Sequence, residues 1–386
     1  MKSVITIFKR EIRLVSSQKA LVLIFLIAPI AYAFMYGSIY TNKLEEEVKI
    51  AVVDMDGSEL SRMVTLQLDA TPMATVVPAR DLHDAQQQLY NGNVQGYLFM
   101  EKGMQAKVLS LQNTTVTLAV NASRFLPSSD LTATLSKICL TLGAGIRMKY
   151  ISKQGAGNEA ALQQANPLSL DYRPLYNENS SYGAFLLPGL LAIILQQTLL
   201  IGLVAAMGIE REQRFPGLYG AGSSAILTGK GLFYLLIFLI IGLFFVTINF
   251  MVLRIPMRGS GINLLVLTTI FLLALISMGL FIGSFFRSPL MGMQVMAFSS
   301  YPIFLITGYS MPYHSLPVLV QCISDLLPTT PFLKSYQSMV QTGGNLLDNK
   351  DALLHLLVLW FVYSLLFLWR MNRLQKKLRI TGDLKQ

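Results

Sequence analysis

Uncharged stretches of about 20 residues recur along the chain, the length at which a helix rising 1.5 Å per residue crosses the hydrocarbon of a bilayer. Six of them are present, at Ala20 to Tyr40, Gly183 to Ile209, Gly231 to Leu253, Ile262 to Phe286, about Ser288 to Met311, and Ala352 to Trp369, where only His355 interrupts the apolar run. Ahead of the first, Met1, Ile5, Phe8, Ile12 and Val15 recur at spacings of four and three, while Lys2, Lys9, Arg10 and Arg13 lie off that line. Residues 1–19 therefore read as an amphipathic helix lying in the membrane interface. Pro29 removes a backbone hydrogen bond inside the first span and predicts a kink there. Ala31-Tyr32-Ala33 resembles a secretory cleavage site, but 19 residues precede the apolar stretch and it stays apolar through Tyr40, so the reading is an uncleaved anchor.

Between the first two spans, residues 41–182 change pattern. An acidic run, Glu45-Glu46-Glu47, reads as a solvated boundary; beyond it, short β-branched runs alternate with polar helical segments, the mark of an α/β domain. Strands are predicted at Val48 to Val53, Ala74 to Val77, Gly96 to Phe99 and Lys107 to Leu111. Helices are predicted at Glu59 to Leu68, capped by Ser58, at Leu82 to Tyr90, preceded by Asp81, and at Ser128 to Ser152. The segment Gln154 to Ala165 reads as a loop or frayed helix, ended by Asn166-Pro167. Asp54, Asp56, Gly57 and Ser58 have part of a calcium-loop spacing, but the twelfth position from Asp54 is Thr65 rather than glutamate, so they read as a capped strand-to-helix turn.

Composition agrees with a membrane bundle plus one folded insert: of 386 residues, 53% are hydrophobic and 13% charged, with a mean hydropathy of +0.51. The charge has a direction. Lys and Arg collect in residues 1–19, in residues 210–230, at Arg287, and from Arg370 onward, whereas the alternate short loops hold Arg254, Arg258, Lys334 and Lys350. The positive-inside rule then places both termini in the cytoplasm and residues 41–182 outside. The net charge of +10 is then a signature of membrane orientation, attracted to anionic headgroups, rather than the footprint of a nucleic-acid binder. Cys139 and Cys322 fall in separate outer segments and read as two free thiols; with three histidines, His83, His314 and His355, no metal-ligand cluster forms.

No catalytic constellation appears: no Gly-x-Ser-x-Gly elbow, no His-Glu-x-x-His pair, no nucleotide-binding loop. Thr228-Gly229-Lys230 looks like the end of a phosphate loop, but Ser224 stands where the leading glycine belongs and Gly231 where Ser or Thr belongs. The spans are almost free of ionisable groups, which disfavours proton coupling. Their uncharged polar residues, Gln196, Gln197, Asn249, Gln294, Ser299 and Ser300, are candidates either for a translocation path or for helix-to-helix hydrogen bonds. Gly279 and Gly283 read as a close helix-packing pair. The compact charged segment from Glu210-Arg211-Glu212 to Lys230 is a candidate docking point for a partner that supplies energy, or else an ordinary interfacial turn.

Four places resemble the permease subunits of type-2 ABC exporters, in particular bacterial members with a large outer domain between spans one and two. Gly208-Ile209-Glu210-Arg211-Glu212, followed by Gly229-Lys230, looks like the coupling region that meets the ATPase. Gly308-Tyr309-Ser310-Met311-Pro312, then Pro317 and Leu327-Pro328, looks like the outer re-entrant hairpin before the last span. Tyr176-Asn177 to Leu187-Pro188-Gly189-Leu190 resembles the approach to span two, and Val52-Val53-Asp54 with Leu60-Ser61-Arg62 the start of the outer domain. One departure is that Gln213-Arg214-Phe215-Pro216 follows Glu-Arg-Glu where the family continues with Gly-Thr and a leucine-rich turn.

The expectation is thus a polytopic α-helical membrane protein of the bacterial inner membrane, with six transmembrane helices, both termini inside, and an inserted α/β extracytoplasmic domain. In order it has the interfacial helix 1–19, span 20–40, outer domain 41–182, span 183–209, coupling segment 210–230, spans 231–253, 262–286 and 288–311, re-entrant hairpin 312–350, span 352–369 and a basic tail 370–386. The resemblance implies ATPase-coupling roles for Glu210, Arg211, Glu212, Arg214 and Lys230, and hairpin roles for Gly308 to Pro312 and Pro328. It also implies a dimer with an identical or sister permease, two cytoplasmic ATPase subunits that carry the ATP and Mg, contacts with lipid, and a periplasmic adaptor. A path between spans two and five with amides and hydroxyls but no fixed charge suits export of an amphipathic or hydrophobic compound. The competing readings are a membrane-tethered sensor or scaffold, a membrane enzyme, which the missing catalytic set disfavours, and a channel, which the lack of a charged or carbonyl-rich filter disfavours.

Overall fold

The structure, a computed structural model, describes residues 2–39, 47–110, 112–153, 159, 182–213, 221–252 and 257–380. Two compact units form, Met1–Lys43 with Pro174–Gln386, and Leu44–Arg173. The larger begins with α1 (Lys2–Ser17) and α2 (Lys19–Ile39). Pro29 cannot donate to the Phe25 carbonyl and its ring presses on it; the helix answers with one wide turn, Leu23–Ile27, where the Ala28 N–H reaches back to Leu23. The inward face of α1 is not the line drawn from sequence. Ile7, Glu11, Leu14 and Val15 are buried, while Ile5 and Ile12 stay 52% and 46% exposed.

The smaller unit runs β1 (Val48–Asp54), α3 (Glu59–Asp69), β2 (Ala74–Pro78), α4 (Leu82–Tyr90), β3 (Gly96–Met100), α5 (Met104–Leu109), β4 (Val116–Val120) and α6 (Phe125–Lys153). Its sheet has the order β2-β1-β3-β4, with β1 parallel to both neighbours and β4 antiparallel to β3. Ile50, Val52, Leu98 and Met100 face Val64 and Leu68 of α3 and Leu131, Leu135 and Ile138 of α6. Ala51 and Val53 face Ala85 of α4 and Val94. Burial of β1 on both faces is why its sequence is a continuous β-branched run rather than an alternation.

The strand predicted at Lys107 to Leu111 is a correction: residues Met104–Leu109 form α5, Leu111 lies outside the described residues, and the fourth strand is β4. A side chain far away in sequence decides it. Asp56 accepts from the backbone N–H of Gly103 (2.7 Å) and Gln105 (3.0 Å), capping α5 behind Gly103 at φ +82°. The rest of that turn is self-contained. Asp54 accepts from Asp56 N, Gly57 N and Ser61 Oγ, Ser58 caps α3 through Ser61 N, and Asp81 caps α4 through Asp84 N. The segment Gln154 to Ala165 with Asn166-Pro167, and Tyr176-Asn177, are not among the described residues apart from Glu159.

The larger unit resumes with α7 (Tyr182–Glu212), α8 (Ser223–Val252), α9 (Gly261–Gly283), α10 (Pro289–Ile306), α11 (Val318–Asp325), α12 (Thr329–Gln337) and α13 (Lys350–Ile380). Among the described residues, α2, α7, α8, α9, α10 and α13 are the six helices long and apolar enough to cross a membrane. α7 is the most buried of them and α10 the least. α9 packs on α7 and α13, and Gly279 and Gly283 face Leu203 and Met207 of α7 at close range. Cys139 on α6 and Cys322 on α11 are free thiols.

Three helix ends differ from the sequence reading. α8 begins at Ser223 rather than Gly231, so Lys230 lies inside it; α10 stops at Ile306; and α13 continues to Ile380, so Arg370, Arg373, Lys376 and Lys377 belong to a helix rather than a separate tail. A charge ends an apolar run on paper, but it does not end a helix whose charged side chains find partners or reach solvent.

Where α7 meets α10, a Cβ added at Gly208 would stand 2.7 Å from Pro289 Cα and 2.8 Å from its nitrogen, against backbone that cannot rotate away. Gly208→Ala is therefore expected to lower the thermal unfolding midpoint in lipid nanodiscs by several degrees. Gly231→Ala, whose Cβ would meet nothing within 4 Å, is expected to leave the midpoint unchanged or raise it.

Candidate functional site

The interior of the larger unit holds one knot of opposed charges. Ile7, Glu11 and Leu14 follow one another at helical spacing, so the fold that buries the two apolar residues carries Glu11 in with them. Lys230 and Tyr234, four apart on α8, meet it: Lys230 Nζ lies 2.7 Å from Glu11 Oε1, and the Tyr234 hydroxyl donates to Glu11 Oε2 at 2.9 Å. Glu210, in the last turn of α7, takes the other side of the same ammonium, with Oε2 at 2.8 Å, and pairs through Oε1 with Arg10. Glu11, Lys230 and Tyr234 are fully buried and Glu210 is 1% exposed. Two cations and two carboxylates make the knot neutral, the condition under which charges persist in an apolar interior. Burial pushes the Glu11 carboxyl up, but the Lys230 charge, the hydrogen bonds from Lys230 and Tyr234 and the Arg10 charge outweigh it and hold it below its ordinary value.

Neighbouring contacts extend the knot. Phe25 of α2 packs on Tyr234 with ring centres 5.3 Å apart. Arg211 donates to the carbonyls of Ser284 and Phe286, closing the carboxyl end of α9. Ser223 donates to Asn372, Gln375 donates to the Ala221 carbonyl at 2.9 Å, and Arg370 lies over the Phe285 ring at 4.5 Å. Helices α1, α2, α7, α8 and α13 and the α9–α10 turn are thus fastened at one end of the bundle, around residues 210–230.

Of the residues predicted to dock on a partner, Glu210 and Lys230 instead face inward as struts, and Arg211 is turned onto the α9–α10 turn. Glu212 is exposed. Arg214, with Phe215 and Pro216, lies outside the described residues. Sequence reasoning missed Glu11, Arg10 and Tyr234. The available signal was an acid on the same helical line as Ile7 and Leu14.

The predicted polar path is not brought into one hydrogen-bonded group. Gln196, fully buried, accepts from Thr329 Oγ1 of α12, and its Nε2 has no partner among the described residues. Gln197 is buried, and neither of its amide atoms has a partner among the described residues. Gln294 is exposed on α10, Ser299 donates to the Met296 carbonyl of its own helix, and Ser300 is half-buried. Asn249 sits in the wide turn Ile248–Val252 that ends α8.

At the hairpin, Gly308 (φ +80°) turns the chain out of α10. Tyr309 stacks on Phe185 of α7, with ring centres 5.3 Å apart, and donates to its carbonyl. Ser310 has a buried hydroxyl without a partner among the described residues, Met311 is exposed, and Pro312 opens a 3-10 turn at Tyr313–Ser315. Pro328 precedes α12. Tyr363 and His355 of α13 bond the Leu326 and Asp325 carbonyls, both at 2.8 Å, so α11 is tied to the last long helix. A cavity of about 380 Å³ opens there, lined by Tyr313, His314, Asp325, Lys334, Asp351 and His355 among others.

Residues 19–369 match the family described as ABC-2 family transporter protein, and the chain belongs to that family. With its apolar helices, it is a multi-pass membrane protein. Among curated proteins it is similar to the probable multidrug ABC transporter permease YbhS of Escherichia coli (strain K12), 22% identical over 233 residues, which is 57% of this chain and 60% of that protein. YbhS of Escherichia coli O157:H7 matches with the same identity and coverage. The chain thus aligns with less than two thirds of the length of these relatives.

Removing one member of a buried ion pair strands its partner at a cost of roughly 3–5 kcal/mol. Lys230→Met is expected to destabilise the protein on that scale, read as a lowered unfolding midpoint in nanodiscs. Adding Glu11→Gln to Lys230→Met leaves Arg10 opposite Glu210, so the double variant is expected to unfold above the single one.

Proposed function

We propose that the chain is the permease subunit of an ATP-driven exporter of amphipathic or hydrophobic compounds. The observation that carries this reading is the ion knot: it fastens the basic α1 to the helix ends that flank residues 210–230, so a push on that segment moves α1, α7 and α8 together. Arg10, Arg211, Lys230 and Arg370 converge at that end of the bundle, which supports a cytoplasmic placement for it and for both termini. The smaller unit then lies outside the inner membrane.

In this reading the exposed Glu212 and the segment that includes Arg214 meet cytoplasmic ABC ATPase subunits, which bind ATP and Mg, while Glu210, Lys230 and Arg211 transmit the motion. The chain itself hydrolyses nothing. A second permease copy or sister subunit completes the path, lipid surrounds it, and an adaptor meets the outer unit. Gln196 and Gln197 offer buried amide atoms that lack partners, a costly state in isolation, and these suit a substrate with a few polar groups on an apolar body. The name of YbhS, a probable multidrug permease, points the same way.

The test is ATPase activity in nanodiscs of the chain co-purified with candidate ATPase subunits. Glu212→Ala is expected to keep the unfolding midpoint and lose at least several-fold of the transport-linked turnover, while Arg211→Ala loses both. A folded chain that associates with no ATPase overturns the permease reading, and turnover stimulated only by inorganic ions overturns the substrate class.

A further inference from the structure

The core of the smaller unit uses α6 only as far as Leu142. Leu131, Leu135 and Ile138 pack on the sheet, whereas the helix runs on to Lys153. Its second half stands opposite the starts of α3 and the body of α5, and the three enclose a cleft of about 640 Å³. That volume falls within the range of small-molecule sites, about 300–1,000 Å³.

The walls are apolar. Leu60 and Met63 come from α3, Val108 and Leu109 from α5, and Ile146 from α6. At the rim Met63 is 38%, Tyr150 40% and Leu109 65% exposed, so large apolar side chains border the opening of the cleft. The charged side chains lining the cleft are Lys149 and Lys153, one helical turn apart, and Glu59, so cations outnumber the single acid. Gln105 holds the walls in place, accepting from the Leu60 N–H at 3.0 Å. In the α6 wall stands Gly145, and a Cβ added there would meet nothing within 4 Å. The missing side chain therefore leaves room that no protein atom takes.

We propose that this cleft binds a small hydrophobic anion, an aromatic or alkyl body bearing one carboxylate or sulfonate, with the body between α3, α5 and α6 and the anion at Lys149 and Lys153. The site goes beyond the transport reading and stands without it, since its lining residues all lie between Glu59 and Lys153.

The experiment uses the full chain in zwitterionic lipid nanodiscs, with empty nanodiscs as blank, and two fluorescent probes that differ by one sulfonate: 8-anilinonaphthalene-1-sulfonate and neutral N-phenyl-1-naphthylamine. One saturable site per chain is expected for the sulfonate. Gly145→Leu fills the cleft with a residue that helices favour over glycine, and is expected to weaken that binding at least tenfold with an unchanged unfolding midpoint. Leu109→Glu, at an exposed position, sets a negative charge in the cleft and is expected to do the same. Lys149→Gln with Lys153→Gln is expected to weaken the sulfonate about tenfold and leave the neutral probe unaffected. Binding that survives both Gly145→Leu and Leu109→Glu overturns the site, and a double lysine variant that binds the sulfonate like wild type overturns the anion class.

Discussion

A lysine with no access to water must be neutralised where it stands, and Lys230 is neutralised by carboxylates from two other helices. Glu11 arrives on α1 and Glu210 on α7, each within 2.8 Å of the same ammonium. None of the three can leave without stranding charge in a medium where desolvation costs several kcal/mol per ion. The knot thus fixes the register of α1 against α7 and α8 more tightly than apolar packing does, because apolar contacts tolerate sliding and a shared proton donor between two acids does not.

The same constraint ties the knot to the rest of the bundle. Arg211 follows Glu210 and reaches the opposite way, to the α9–α10 turn, while Ser223 and Ala221 bond α13. Glu210 and Arg211 at the end of α7, and Ala221 and Ser223 at the start of α8, are thus joined to the other long helices through hydrogen bonds and ion pairs. At the far end of α7, the stacking of Tyr309 on Phe185 and the ties from α13 to α11 supply a second fastening, so movement of α7 is felt at the hairpin too.

Much of this was legible in the sequence because hydrophobic run length and period report directly on burial. The six long helices, β1 to β3 and the caps at Ser58 and Asp81 lie where local pattern puts them. What was not legible depends on long-range partners. Lys107 to Leu111 has a strand's composition, but Asp56, some fifty residues earlier, caps a helix there. Lys230 looked like the edge of a loop because its partners are 20 and 219 positions away. Glu11 looked like a polar residue on an amphipathic helix, and only the identity of the buried face shows otherwise. The departure from the family pattern, Gln213-Arg214-Phe215-Pro216, lies outside the described residues apart from Gln213.

The polar atoms that remain unpaired bear on how the path is completed. Gln196 and Gln197 sit on the most buried helix with three amide atoms unpartnered, while α10, the least buried, presents Phe298 at 85% and Tyr301 at 70% exposure. In lipid the exposed aromatics are tolerable and the buried amides are not, since hydrocarbon offers nothing to a carbonyl or an NH₂. The three amide atoms are therefore the costly feature, and the exposed aromatics are not. Thr329 supplies a partner for the oxygen of Gln196, and among the described residues nothing does so for the other three atoms. On the export reading proposed above, such atoms suit a guest that is itself partly polar, because its polar groups would supply the hydrogen bonds that the described residues do not.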